Sequence, residues 1–109
     1  MNRRHSLKDK RIIERLVKRR QSVGNRYYAI YFQEADELKI AVSPSRKIKT
    51  AVKRNYEKRV VKEILRPMLP EVGNVQMLFV IKPLAGELSF AQKQQQITHL
   101  INKIKKEIS

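Results

Sequence analysis

The chain of 109 residues carries 25 Lys and Arg against 10 Asp and Glu, a formal net charge of +15, and 41% of it is apolar. This suits one domain over residues 1–109 with a modest core, and a charge so far beyond the needs of solubility points to a polyanionic partner. No apolar run approaches the roughly 18 residues of a membrane-spanning helix, the basic N-terminus lacks a secretory signal's apolar stretch, and the lack of cysteine excludes disulfides and thiol chemistry; a cytoplasmic location is expected.

Residues 1–5 read as a flexible basic segment. Ser6 and Asp9 then resemble a capping box that opens a helix over 7–21, with Ile12, Ile13, Leu16 and Val17 on one side and Lys8, Arg11, Arg15, Lys18 and Arg19 on the other. A turn falls near Gly24 and Asn25, and a short extra strand fits at 21–26. Tyr27–Phe32 and Leu38–Ser43 read as strands joined by Glu34–Glu37 into an antiparallel hairpin. Pro44 ends the second strand, and a basic loop, Arg46–Lys49, follows.

Thr50 suits the N-cap of a helix that runs to about Arg66, before Pro67. On a helical wheel Val52, Tyr56, Val60 and Ile64 climb one stripe, expected to face the core. Arg54, Asn55, Lys58, Arg59, Lys62 and Arg66 share the opposite arc. Pro67, Pro70 and Gly73 mark a loop, Val75–Ile81 reads as a buried strand, and Lys82-Pro83 closes it. Ser89 and Gln92 make a second capping box, after which Phe90, Ile97, Leu100, Ile101, Ile104 and Ile108 keep helical spacing. The expected fold is α+β in the order α-β-β-α-β-α, with a mixed sheet and helices on one face.

The run from Lys47 through Lys53-Arg54-Asn55-Tyr56 to Lys58-Arg59 and Lys62 resembles the signature of the ribonuclease P protein family, a Lys-rich loop leading into an Arg-Asn-Arg helix. Leu7-Lys8, Asn25-Arg26, Ala41-Val42-Ser43 and Lys82-Pro83 fall where family members have similar residues, so the resemblance spans nearly the whole chain. Tyr56 stands in place of the second Arg, Lys49-Thr50 where Gly-Asn is common, and Ile13 and Val17 where aromatic side chains are frequent. The resemblance implies a two-layer fold like that of a ribosomal protein domain, with a left-handed βαβ crossover. It also implies two partners, the ribonuclease P RNA subunit and precursor tRNA, no membrane and no small-molecule substrate.

Arg46, Lys47, Lys49, Lys53, Arg54, Asn55, Lys58, Arg59, Lys62 and Arg66 are the candidate RNA-binding residues: the charge run has no compensating acidic stripe, and Arg and Lys bind phosphates by displacing counterions. From the resemblance, Ile13, Val17, Ala29, Tyr31 and Lys47 would form a cleft for the precursor's 5′ leader. Tyr31 and Ala29 share a strand face, where the alternative role is sheet packing. His5 and His99 lack metal-site spacing, and Asp36 and Glu37 suit a turn. No catalytic residue, protein-bound cofactor or metal is therefore expected, and the resemblance implies that Mg²⁺ belongs with the RNA partner. The expected function is that of an accessory protein subunit of this endoribonuclease. A structural or ribosomal RNA-binding protein is the alternative, and a self-sufficient nuclease would need clustered carboxylates that the sequence lacks.

Overall fold

The computed structural model describes residue 11 and residues 21–108. The segment 1–5 and the rest of the span expected as the first helix, with Ile13 and Val17, lie outside the described residues. From residue 21 onward the order is β1 (Ser22–Gly24), β2 (Tyr28–Glu34), β3 (Lys39–Pro44), α1 (Ala51–Leu65), α2 (Leu69–Val72), β4 (Val75–Ile81) and α3 (Phe90–Ile108). Single 3₁₀ turns lie at Arg66–Met68 and Pro83–Glu87. The extra strand expected at 21–26 is β1.

The four strands form one sheet in the order β1-β2-β4-β3, with β2 antiparallel and β3 parallel to β4. The expected hairpin between β2 and β3 is therefore not formed, because β4 lies between them. β4 (VQMLFVI) is buried at Val75, Met77, Phe79 and Ile81 on one face and at Leu78 on the other. A strand apolar on both faces is most stable with a neighbour on each side, which places it centrally. Residues 35–38 connect β2 to β3 across the start of β4, where the Ala35 amide donates to the Asn74 carbonyl at 3.2 Å. The parallel β3–β4 pair requires the crossover that α1 and α2 supply.

The register builds the core in rows. Ile30 pairs with Phe79, which pairs with Val42; Phe32 pairs with Met77, which pairs with Ile40. Tyr28 packs edge-on to Phe79 with ring centroids 5.4 Å apart. α1 covers this face with Val60, Val61, Ile64 and Leu65, and α3 with Ile97, Leu100, Ile101 and Ile104. At Gly24, the end of β1, an added Cβ would meet the Tyr28 carbonyl oxygen at 3.2 Å, so a side chain would crowd the turn into β2. That turn is held by Asn25, whose Oδ1 accepts from the Tyr27 and Tyr28 amides at 2.8 and 3.0 Å.

Both caps read from the sequence are present. Thr50 Oγ1 accepts from the Lys53 amide at 3.1 Å. The Ser89 amide donates to Gln92 Oε1 at 2.8 Å while the Gln92 amide donates to Ser89 Oγ at 3.2 Å, a reciprocal capping box. The stretch expected as a loop at Pro67–Gly73 is instead the 3₁₀ turn and α2. Each proline sits at a first-turn position that needs no amide hydrogen, and Gly73 ends α2 at φ +87°.

The core stripe of α1 also differs from the expected one. Val52 is 78% exposed and Tyr56 54%, whereas Val60 and Ile64 are buried beside Val61 and Leu65. A strict four-residue step overshoots a 3.6-residue turn by about 40°, so three such steps turn Val52 away from the face that Ile64 buries. Phe90, the first residue of α3, is likewise exposed and precedes the part of α3 that meets the sheet.

Candidate nucleic-acid interface

Thr50 starts α1 directly after the basic loop, so loop and helix form one continuous cationic ridge. Within the loop Ile48 is buried, with Arg46, Lys47 and Lys49 left exposed around it. The Ser45 amide donates to the Ile81 carbonyl at 2.8 Å, the Ile48 amide to the Ser45 carbonyl at 3.1 Å, and the Lys47 amide to Ser45 Oγ at 3.1 Å. Arg54 Nη1 reaches back to the Ile48 carbonyl at 2.7 Å. This arginine fastens the loop with one of its donors, a role that sequence reasoning missed.

Further along α1, Asn55, Lys58, Arg59, Lys62 and Arg66 line a groove of about 270 Å³ with Glu63. Steps of three and four residues keep this set on one face. Arg66 lies 3.7 Å from the exposed Glu63, a solvent-screened pair of small energetic weight. Lys58, Arg59 and Lys62 form no ion pair among the described residues. Such a row of cations favours contact with phosphates, with counterion release as the driving term.

The second face of the sheet carries the other candidates. Tyr31 pairs with Leu78, which pairs with Ala41; Ala29 pairs with Val80, which pairs with Ser43. Tyr31, Ala41 and Val80 pack against Leu78 as a small apolar cluster. The structure thus brings Ala29 and Tyr31 onto one face, while Lys47 lines a cleft of about 560 Å³ with Lys49, Lys53 and Tyr56 beside α1 and α3. Ile13 and Val17 lie outside the described residues.

Sequence reasoning also missed a buried ion pair. Lys93 Nζ bonds Glu57 Oε1 at 2.5 Å, with Glu57 4% and Lys93 3% exposed. Both stand on the core stripes of their helices: Glu57 precedes Val60, Val61 and Ile64, and Lys93 precedes Ile97, Leu100 and Ile101. A charged residue in core phase on each of two helices is the signal that could have found them. Lys93 Nζ also lies 5.1 Å from the centre of the Tyr56 ring, a cation–π contact.

Nearby, the buried Tyr28 hydroxyl has no hydrogen-bond partner among the described residues. Burial, and secondarily the charge of Glu57, push its pKa up, well above the ordinary tyrosine value of 10.0. A raised folded-state value means that the unfolded chain loses this proton first, so stability falls as pH rises past about 10. Tyr28→Phe is expected to be tolerated at neutral pH and to show a shallower loss of melting temperature above that pH than the wild type. Parallel alkaline melting curves for the two proteins would contradict this.

Among the described residues no three His, Asp or Glu side chains gather as a metal site. No described helix is long and apolar enough to cross a membrane.

The mixed four-stranded sheet, with helices packed on one face and a cationic helix following a basic loop, defines a small α+β domain with a strongly cationic surface. A family model described as Ribonuclease P matches residues 1–105. The chain is 30% identical to the ribonuclease P protein component of Mycoplasma mobile, over 95% of this chain and 93% of that protein. It is 32% identical to that of Acholeplasma laidlawii, over 96% and 93%. In fold it is similar to the RNase P protein of Staphylococcus aureus, with a TM-score of 0.83 at 22% identity covering 91% and 94% of the two chains. It is also similar to that of Thermotoga maritima, with a TM-score of 0.77 at 23% identity covering 90% and 96%. The chain belongs to the ribonuclease P protein family.

Proposed function

We propose that this chain is the cytoplasmic protein subunit of a ribonuclease P ribonucleoprotein. The α1 face with Arg46, Lys47, Lys49 and Lys53 binds the RNA subunit, and the second face of the sheet, with Ala29 and Tyr31, holds the 5′ leader of precursor tRNA. The protein supplies position and positive charge, and cleavage of the leader belongs to the RNA and its Mg²⁺. The observation that carries this reading is the row of Lys58, Arg59 and Lys62 without ion pairs among the described residues, continuous with a loop fixed by Arg54, in a chain of this family. Reconstitution with a ribonuclease P RNA tests it. The protein alone should leave precursor tRNA intact, and protein with RNA at low Mg²⁺ should release the leader faster than RNA alone. Equal rates with and without protein would overturn the reading, leaving a structural RNA-binding role.

For the leader, Tyr31→Ala is expected to weaken binding of precursor tRNA by the holoenzyme about fivefold, the lower end of what one base–aromatic stack contributes. Mature tRNA should bind as before. Equal losses for both, measured side by side, would reduce Tyr31 to a packing residue of the Leu78 cluster.

A further inference from the structure

The cleft beside α1 and α3 has a chemistry distinct from the α1 groove. Exposed Lys47, Lys49 and Lys53 supply positive charge, the exposed Tyr56 ring supplies a flat surface, and Glu57 and Lys93 complete the polar part of the lining. Pro83 and Leu88 give it an apolar wall. Glu57 uses Oε1 for Lys93, but its Oε2 has no hydrogen-bond partner among the described residues although the side chain is buried. Glu57 is itself among the residues that line the cleft, which leaves this oxygen as an acceptor for a donor seated there.

We propose that this cleft seats one unpaired nucleotide of an RNA strand. The phosphate lies on Lys49 and Lys53, the base stacks on Tyr56, and an amino group on the edge of the base donates to Glu57. Lysines recruit phosphate, and an exposed aromatic ring accepts any base face. A carboxylate oxygen accepts from an exocyclic amino group, which adenine, cytosine and guanine possess and uracil lacks. The volume, about 560 Å³, lies within the range of small-ligand sites. An acidic peptide would satisfy the lysines but bring its own carboxylates against Glu57 and against Glu87 in the same lining. The choice of an RNA strand over a free nucleotide rests on the function proposed above.

Titration of the isotope-labelled full chain with the four nucleoside 5′-monophosphates and with inorganic phosphate tests the seat without any ribonuclease P activity. AMP, CMP and GMP should shift the amide signals of Tyr56, Glu57 and Lys93, and bind more tightly than UMP or phosphate. Glu57→Gln should narrow that preference. Tyr56→Ala should bind a hairpin RNA with one bulged adenosine about fivefold or more weakly, with Tyr56→Phe close to wild type and the fully paired hairpin unaffected. Phosphate or UMP matching AMP would overturn the seat in favour of a bare cation cluster. So would equal losses on the two hairpins, or displacement of AMP by a polyglutamate peptide that binds more tightly, which would indicate a protein partner. Loss of all RNA binding in a variant of the α1 groove would speak to the proposed function, whereas the preference among mononucleotides stands independently of it.

Discussion

Replacing Lys93 with methionine is expected to lower the free energy of unfolding by about 3–5 kcal/mol, the usual cost of leaving one charge of a buried pair without its partner. Glu57 would keep a carboxylate that is 4% exposed, one of whose oxygens already has no partner among the described residues. The double variant Glu57→Leu/Lys93→Met should recover most of that loss or exceed the wild type, because both positions lie on apolar stripes that lead into the core. Urea unfolding of the wild type, both single variants and the double variant closes the cycle. Additive losses would show that the two positions act through packing and not through each other's charge.

Changing Lys58, Arg59 and Lys62 together to alanine is expected to weaken assembly with a ribonuclease P RNA by about ten- to a hundredfold at moderate salt. That corresponds to ~0.5–1 kcal/mol for each phosphate left without its cation. The slope of log affinity against log salt should flatten by about 2–3, since each neutralised phosphate contributes nearly one released counterion. None of these three side chains forms an ion pair among the described residues, so their removal strips no acidic partner. Arg54 is left in place because it bonds the Ile48 carbonyl and its loss would loosen the loop. Helix content and melting should change little, as alanine is the best helix former and the side chains removed lie off the core. Unchanged affinity and an unchanged salt slope with intact folding would remove α1 as the RNA surface.

Local signals in the sequence were sufficient wherever the cause itself is local. Thr50 and the Ser89–Gln92 box were legible because a cap is a bond between residues three apart in the chain. The β4 strand was legible because a short run of apolar and β-branched residues between Gly73 and Pro83 has few other ways to bury itself. The cationic arc of α1 was legible because a fixed rise and turn convert spacing directly into a face. Family membership followed from the same residues, and the match to ribonuclease P proteins along nearly the whole chain bears it out.

Only the tertiary structure decided what depends on residues far apart in the chain. That β4 enters between β2 and β3 follows from its burial on both faces, and hydrophobic periodicity shows that a strand is buried without naming its neighbours. That Val52 and Tyr56 stand in solvent follows from where α1 meets the sheet, since an amphipathic pattern sets a direction for a stripe but not the length over which another element covers it. The Glu57–Lys93 pair spans 36 positions and exists only because α1 and α3 pack on the same face. Spacing within either helix marks each charge as out of place, and only the packing of the two helices supplies each with its partner.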